Sequence, residues 1–194
     1  LRNGATVEEV LASEDEVRTS ALDVPLRLMD ELIQQGYPVF FTGDHNEPSS
    51  LDWTDATAAA RPDVDEAVAW PVSEAILGLG FHDTFRDIHP NPVEVPGITH
   101  EGAGERIDYL YAAGPVATLG SQLVGEEGGR GVELGFDPWT SDHRAVVSTF
   151  DVTPVVMPVM VSVNAALLTQ GDPLTVAYRS TGSDGSVAIV PSGG

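Results

Sequence analysis

The stretch from Pro38 to Pro48 constrains the fold most, because it joins an apolar run to a polar cluster. The run Val39 to Phe41 is β-branched and aromatic, which predicts a buried strand that stops at Gly43. Asp44 and Asn46 follow. If strand geometry persists through them, both side chains point to the same face, because side chains alternate along a strand. Asp and Asn are also common turn residues, so this stretch alone fits either a turn or a site.

A carboxylate and an amide that project together from the end of a strand suit metal-assisted hydrolysis. The carboxylate of Asp44 would hold or deprotonate a water, and the amide of Asn46 would donate hydrogen bonds to an oxyanion. These two residues are therefore candidate site residues, and the rest of the chain decides between the two interpretations.

The residues before this strand predict helices. Thr6 and Glu9 fit a capping box, so a short helix is expected up to about Ser13. A second helix is predicted from Ser20 to Gly36, with Pro25 in an early turn. Its apolar stripe has helical spacing and comprises Leu22, Leu26, Met29, Leu32 and Ile33. A helix that leads into a buried strand through a tight turn predicts a layered α/β arrangement.

The middle of the chain mixes further helices and strands. Short helices are predicted over Asp55–Ala60 and over Pro71–Leu79, where proline occupies the first turn. Alternating or continuous apolar patterns predict strands over Glu105–Ala112, Val116–Val124 and Arg144–Val152.

Past Asp151 the pattern changes to short apolar runs separated by turn residues. Strands are expected at Val159–Val163, Leu174–Tyr178 and Val187–Val190. We therefore divide the chain into residues 1–151, an α/β (α+β) domain, and residues 152–194, a linker with the start of a small all-β domain of immunoglobulin-like sandwich type. Three strands rarely make a stable sandwich, so we expect this domain to continue or to pair with another segment.

Composition limits the classes of partner. The apolar fraction of 42% and the charged fraction of 20% are typical of a folded globular protein. Nine arginines against thirty acidic residues give a net charge of −21, which disfavours binding to a nucleic acid. A phosphate substrate remains compatible, because a divalent cation can reverse the local field. No apolar run reaches the length of a membrane span, and the absence of Cys excludes disulfides and thiolate chemistry.

Three motifs follow one another at the ends of predicted strands: Gly43-Asp44-His45-Asn46, Arg106-Ile107-Asp108-Tyr109 and Ser141-Asp142-His143. In this order they resemble the motifs of the endonuclease/exonuclease/phosphatase superfamily, which has the DNase I-like fold. Three linking segments agree: 47–53, 85–90 and 96–99. The chain is most similar to secreted bacterial phosphoesterases that carry a β domain after the catalytic domain. The resemblance implies the C-terminal half of a four-layer αββα sandwich, and a secreted or cell-surface location.

The resemblance also implies roles for individual residues. Asp44 would orient or deprotonate the attacking water, and Asn46 would donate to phosphoryl oxygens. His143 would stabilise the phosphate or act as acid and base, with Asp108 holding its imidazole in one tautomer. Asp142 would lie beside a metal ion, so Asp142 and Asp44 are the candidate metal ligands. Oxygen ligands point to Mg²⁺ or Mn²⁺, with Ca²⁺ as a further candidate.

The chain also departs from this family. The usual first half supplies an Asn, a metal-ligating Glu and a second His, and no motif here matches them. We therefore expect the missing N-terminal half to lie elsewhere in the precursor or in a separate chain, and to be a partner of this one. His45 and His100 stand where apolar or aromatic residues are common in the family, and His45 could tune metal or substrate contacts.

The combined motifs favour a metal-dependent phosphoesterase that hydrolyses a phosphodiester or phosphomonoester with water as nucleophile. The first alternative is an extracellular endonuclease or exonuclease, which the acidic charge disfavours. The second alternative is a non-catalytic binding or adhesion protein that retains the fold, in which case the site residues would be relics.

Other residues with chemical potential have structural interpretations. His82, His89 and His100 match no metal-ligand spacing, so we expect loop or surface histidines. Trp53 and Trp70 are predicted to lie in the core more than to stack on a substrate. Arg106 and Arg144 each adjoin a candidate site residue in a strand. They should therefore point to the opposite face and form structural salt bridges, which is favoured over a phosphate clamp.

Overall fold

The computed structural model of the chain describes residues 5–155, 160–163, 169 and 174–179. It divides into two compact units, Leu1–Pro154 and Val155–Gly194. The first unit contains helices and strands in the order α1 (Val7–Glu14), α2 (Ser20–Gln34), β1 (Val39–Asp44), α3 (Asp55–Ala60), α4 (Pro71–Gly78), β2 (His82–Asp83), α5 (Thr84–Ile88), β3 (Asp108–Ala113), β4 (Val116–Glu126), β5 (Leu134–Phe136) and β6 (Ala145–Val152). The mixed α+β class predicted from the sequence is confirmed.

The first two helices form one continuous helical segment, Val7–Gln34. Thr6 and Glu9 form a complete capping box at the start of α1, because the side chain of each accepts a hydrogen bond from the backbone N–H of the other. A π-helical turn, Asp15–Thr19, links α1 to α2. Leu22, Leu26, Met29 and Ile33 of α2 pack against the core, as predicted. The prediction is wrong for Leu32, which is 42% exposed, because it lies one position from Ile33 and so points about a quarter-turn away.

Strand β1 carries the first candidate site residue at its end. It pairs antiparallel with β3, and β2 pairs with the other side of β3, so the sheet order is β1-β3-β2. The prediction that the strand stops at Gly43 is wrong, since the ladder continues through Gly43 to the pair Asp44 and Asp108. The backbone at Gly43 has a φ of 153°, which residues with a Cβ rarely adopt, so glycine suits this position in the strand.

A second sheet has the order β5-β4-β6. Strand β4 is parallel to β5 and antiparallel to β6, with an irregularity between Thr118 and Gly120. The predicted strands at Val116 and Arg144 are both found. Strand β5 was not predicted, because its three residues are all exposed and give no alternating pattern.

Two clusters of buried side chains form the core. One lies between α2, α4 and the first sheet and contains Val39, Val72, Ile76, Phe81, Tyr109, Tyr111 and Ala113. The other contains Trp53, Val64, Val68 and Trp70, packed against α1 and α3. The two indole rings meet edge to face, with centroids 5.2 Å apart. The prediction that Trp53 and Trp70 are core residues is confirmed.

The second unit contains an antiparallel hairpin of β7 (Met160–Val163) and β8 (Val176–Arg179). β7 falls within the predicted strand Val159–Val163, and β8 overlaps the predicted strand Leu174–Tyr178 but extends one residue beyond it, to Arg179. The third predicted strand, Val187–Val190, lies outside the described residues. Among the helices of the described residues, none has the length and apolarity needed to cross a membrane.

Candidate active site

Asp44, Asp108 and His143 meet in one cleft of about 410 Å³. The ladder between β1 and β3 places Asp44 directly opposite Asp108. His143 comes from the loop that leads into β6. One oxygen or nitrogen from each of the three side chains lies within 4.8 Å of the others. The structure therefore brings together residues from all three sequence motifs.

Buried Thr99 ties the strands that carry these residues to each other. Its hydroxyl oxygen accepts hydrogen bonds from the N–H groups of Ile107 (3.0 Å) and Asp108 (3.1 Å) at the start of β3. Its carbonyl accepts from the N–H of Arg144 at 2.7 Å. One buried residue thus fixes the backbone next to Asp108 and next to His143. In the sequence, Thr99 stands out only as the last residue of the segment 96–99, and its three partners are visible only in the folded chain.

Asp108 and His143 form a hydrogen-bonded pair. Nδ1 of His143 lies 2.9 Å from Oδ2 of Asp108. This hydrogen bond, with the nearby charges of Asp108, Asp44 and Asp142, raises the pKa of His143. The His143 ring therefore holds a proton more readily than a free histidine does. Asp108 bonds Nδ1 of this ring, so Nε2 is the ring nitrogen that does not bond Asp108.

Asn46 reaches Asp44 by a route that the alternation argument did not predict. Strand geometry ends at Asp44, and Asn46 has a left-handed backbone with φ of 50°. The N–H of Asn46 donates to Oδ1 of Asp44 (2.8 Å), and its Nδ2 donates to Oδ2 (3.0 Å). The turn interpretation is thus correct for the backbone, and this turn is what places the amide beside the carboxylate.

Asp142 and Asp44 belong to different close groups around His143. Its side chain is 84% exposed, and its Oδ2 lies 3.9 Å from Nε2 of His100. It forms a second close group with His100 and His143, and this group does not include Asp44. The structure therefore does not join the two candidate metal ligands of the sequence analysis in one group.

His100 lies face to face with His143. Their ring centroids are 4.5 Å apart and their planes differ by 19°. His100 lies in a loop, as expected, and the turn that follows it places its ring against the site. The only sequence signal was its position, where the resembling family commonly has an aromatic residue.

His82 and His89 lie apart from both close groups. His82 pairs with Asp87, and Nε2 of His89 lies 3.0 Å from the carbonyl of Ser121. Within the described residues, His82, His89 and His100 do not lie together in one close group.

His45 takes the place of an aromatic side chain in the core. Its ring packs against Phe41 (centroids 5.2 Å apart), Tyr109 (5.2 Å) and Tyr111 (5.6 Å). Burial lowers its pKa to about 4, so the imidazole is neutral near pH 7. Its ring is packed among the core aromatics, and it is not among the residues that line the cleft.

Both arginines beside the site residues form structural ion pairs, as predicted. Buried Arg106 bonds Asp52 (2.8 Å) and Asp83 (2.6 Å). Arg144 pairs with Glu126 and with Glu101. Arg106 is buried and Arg144 lines the cleft, but the guanidinium of each is already bonded to carboxylates.

The cleft presents side chains that could hold a cation. Asp44 and Asp108 offer carboxylate oxygens, and His143 offers a ring nitrogen. Carboxylate oxygens suit Mg²⁺, Mn²⁺ or Ca²⁺, whereas zinc sites use mainly nitrogen and sulfur.

The chain is similar to an uncharacterized protein of Caenorhabditis elegans, F14F9.5. The two are 38% identical over an alignment of 93 positions, which covers 41% of this chain and 29% of that protein. The chain thus matches less than a third of the length of this relative. No protein-family model and no solved structure matches the chain.

Proposed function

We propose that this chain carries part of the site of a metal-dependent phosphoesterase of the endonuclease/exonuclease/phosphatase superfamily. The enzyme would hydrolyse a phosphodiester or phosphomonoester with water as the nucleophile. The observation that carries the proposal is the cleft in which Asp44, Asp108 and His143 lie within 4.8 Å of one another, although they are far apart in the sequence. Convergent carboxylates and an imidazole at strand ends are typical of hydrolytic sites.

Each side chain has a role that its contacts allow. Asp44 would accept a hydrogen bond or a proton from the attacking water. Asn46 donates one amide hydrogen to Asp44 and keeps a second amide hydrogen for a phosphoryl oxygen. Asp108 holds Nδ1 of His143, so that Nε2 can stabilise the phosphate or exchange a proton with the leaving group.

The carboxylates of Asp44 and Asp108 would hold Mg²⁺ or Mn²⁺, with Asn46 as a further oxygen donor. Such a cation, when bound, offsets the negative charge of a phosphate ester and acidifies a bound water. The two carboxylates face each other in the ladder and together concentrate negative charge at the end of β1, which favours a cation there.

We propose the remaining half of the catalytic fold as the partner of this chain. Within the described residues, β1 is hydrogen-bonded to β3 alone, so its other edge is open. A strand edge of this kind is a template for another strand. The helical segment Val7–Gln34 also exposes a row of apolar side chains at helical spacing: Val17, Val24, Leu28 and Leu32. A second half that covers this row and extends the sheet would bring its own ligands close to Asp44.

The test uses the complete protein and the substrate bis(p-nitrophenyl) phosphate with Mg²⁺. His143→Asn is expected to lower kcat/KM by roughly 10²–10⁴-fold, the usual contribution of an acid–base group. His82→Asn is the matched control, because His82 also pairs with an aspartate but lies outside the cleft. Hydrolysis by His143→Asn at the wild-type rate would contradict the proposal.

A further inference from the structure

The stacking of His100 on His143 has no role in the function proposed above. The two imidazoles are almost parallel and their centroids are 4.5 Å apart. His100 belongs to none of the three motifs, and its backbone lies in the turn before β3. The ring of His100 nevertheless covers one face of the His143 imidazole, while Asp108 binds that imidazole at its Nδ1 edge.

The turn that carries His100 is well fixed. The N–H of His100 donates to the carbonyl of Glu105 (3.0 Å), and its carbonyl accepts from the N–H of Gly104 (2.9 Å). A Cβ placed on Gly102 would lie 3.4 Å from Cε1 and Nε2 of His100, so the turn packs against the ring. His100 also forms a β-bridge with His143 itself. The two backbones are therefore held in register, and the two rings with them.

His143 needs such a support. Its residue precedes β6, and its side chain is 27% exposed. The hydrogen bond from Nδ1 to Asp108 fixes one atom of the ring but leaves the ring plane free to turn about that point. A parallel aromatic neighbour restricts the plane, because offset stacking has a preferred orientation. Nε2 of His100 lies 3.9 Å from Oδ2 of Asp142, beyond hydrogen-bond distance, so the contact with His143 is the main one that its ring makes in the site.

We propose that His100 is a positioning residue of the active site: its ring stacks on His143 and fixes the plane of the imidazole, while Asp108 fixes its Nδ1 edge. The substrate-facing nitrogen is then held in one direction before substrate binds. This inference rests on the proposed function for its effect on hydrolysis, but the stacking itself is independent of that function. Because the stacking requires an aromatic ring and not a titratable group, another aromatic side chain should replace His100.

The experiment compares His100→Phe with His100→Leu in the complete protein. Leucine has a similar volume but no aromatic ring, and the unfolding temperature of both variants serves as the folding control. The first readout is the NMR signal of the His143 ring protons. We expect the ring-current shift that a stacked neighbour causes to remain in His100→Phe and to disappear in His100→Leu. An unchanged signal in His100→Leu, or a lost shift in His100→Phe, would overturn the proposal.

The second readout is hydrolysis of bis(p-nitrophenyl) phosphate with Mg²⁺. His100→Leu is expected to lower kcat by about tenfold with little change in KM, since misplacing a reacting group costs rate more than binding. His100→Phe should retain most of the wild-type kcat. Equal loss in both variants, or no loss in either, would contradict positioning through the ring. If the wild-type protein hydrolyses no phosphate ester, the function proposed above fails, and the NMR comparison alone then decides whether His100 orients His143.

Discussion

Asp44 and Asp108 stand directly opposite each other at the end of the ladder between β1 and β3. The N–H of His45 donates to the carbonyl of Ile107 at 2.8 Å. Bonded pairs alternate along an antiparallel ladder, so Asp44 and Asp108 form a pair without mutual backbone hydrogen bonds, in which side chains are closest. Like charges at such positions destabilise a sheet. Asn46 and His143 each bond one carboxylate and offset part of that repulsion.

The first prediction concerns the stability cost of this pair. Asp44→Asn removes one of the two facing charges, so in the presence of EDTA it should raise the free energy of unfolding by about 0.5 kcal/mol. The same variant should lose Mg²⁺-dependent hydrolysis. Urea unfolding measures the first effect. Asp151→Asn, which neutralises an exposed carboxylate on β6, is the control and should change neither quantity. A destabilised Asp44→Asn would contradict the prediction and would show that the hydrogen bonds from Asn46 outweigh the repulsion between the two carboxylates.

The second prediction concerns cation binding. Mg²⁺ that binds the native cleft should raise the unfolding temperature of the complete protein, because a ligand that binds only the folded state stabilises it. The increase should be absent in Asp44→Asn and in Asp108→Asn, and EDTA should reverse it in the wild type. Asp151→Asn should respond to Mg²⁺ as the wild type does. A response that survives in both cleft variants would place the cation elsewhere.

The third prediction concerns a buried carboxyl group near the site. Glu47 is 1% exposed, its Oε1 accepts from the N–H of Val72 at 2.9 Å, and burial raises its pKa from 4.5 to about 7. Between pH 4.5 and pH 7 the native state therefore binds the proton more tightly than the unfolded state. The contribution of Glu47 to the free energy of unfolding must fall as the pH rises through this window.

Glu47→Gln removes this titration. It should match the wild type at pH 5 and be more stable by up to about 3 kcal/mol at pH 8, as judged by urea unfolding. Burial lowers the pKa of His45, so its contribution to the free energy of unfolding falls as the pH falls. Wild type and Glu47→Gln share this contribution, so it cancels when their free energies of unfolding are subtracted at each pH. Exposed Glu66→Gln is the control. A difference between Glu47→Gln and wild type that does not change with pH would contradict the buried-carboxyl account.

The fourth prediction concerns the buried ion pairs next to the site. Arg106 bonds both Asp52 and Asp83, and its guanidinium lies over the rings of Phe85 and Tyr109. Arg106→Met should lower the free energy of unfolding by about 3–5 kcal/mol, because it removes the cation that pairs with buried Asp83 and leaves buried Asp52 with Arg86 alone. Thermal or urea unfolding checks this value, with exposed Arg27→Met as the control. A loss below about 1 kcal/mol would contradict the prediction.

Local signals in the sequence predicted most of the elements. The capping box at Thr6, the helix at Asp55–Ala60 and the proline start at Pro71 depend on nearby residues, and the structure has helices at all three places. The error at Leu32 arose because an apolar residue beside a buried stripe need not be buried. Strand β5 could not be predicted, because it depends on pairing with β4 and not on its own residues.

The site residues were chosen from three motifs, and the structure brings Asp44, Asp108 and His143 together. The sequence could not show how they meet. Asn46 reaches Asp44 through a left-handed turn, which strand alternation does not describe. His100 and Thr99 act through contacts between segments distant in the chain, and such contacts follow from the topology and not from any local pattern.

The most direct test of the account asks whether Asp108 and His143 act as one unit. The measurement is kcat/KM for bis(p-nitrophenyl) phosphate with Mg²⁺, in the complete protein, for Asp108→Asn, His143→Asn and the double variant. Residues that act together lose activity together, so the double variant should be no slower than His143→Asn alone. If the losses multiply, or if either single variant retains the wild-type rate, Asp108 and His143 do not serve one site and the central claim is wrong.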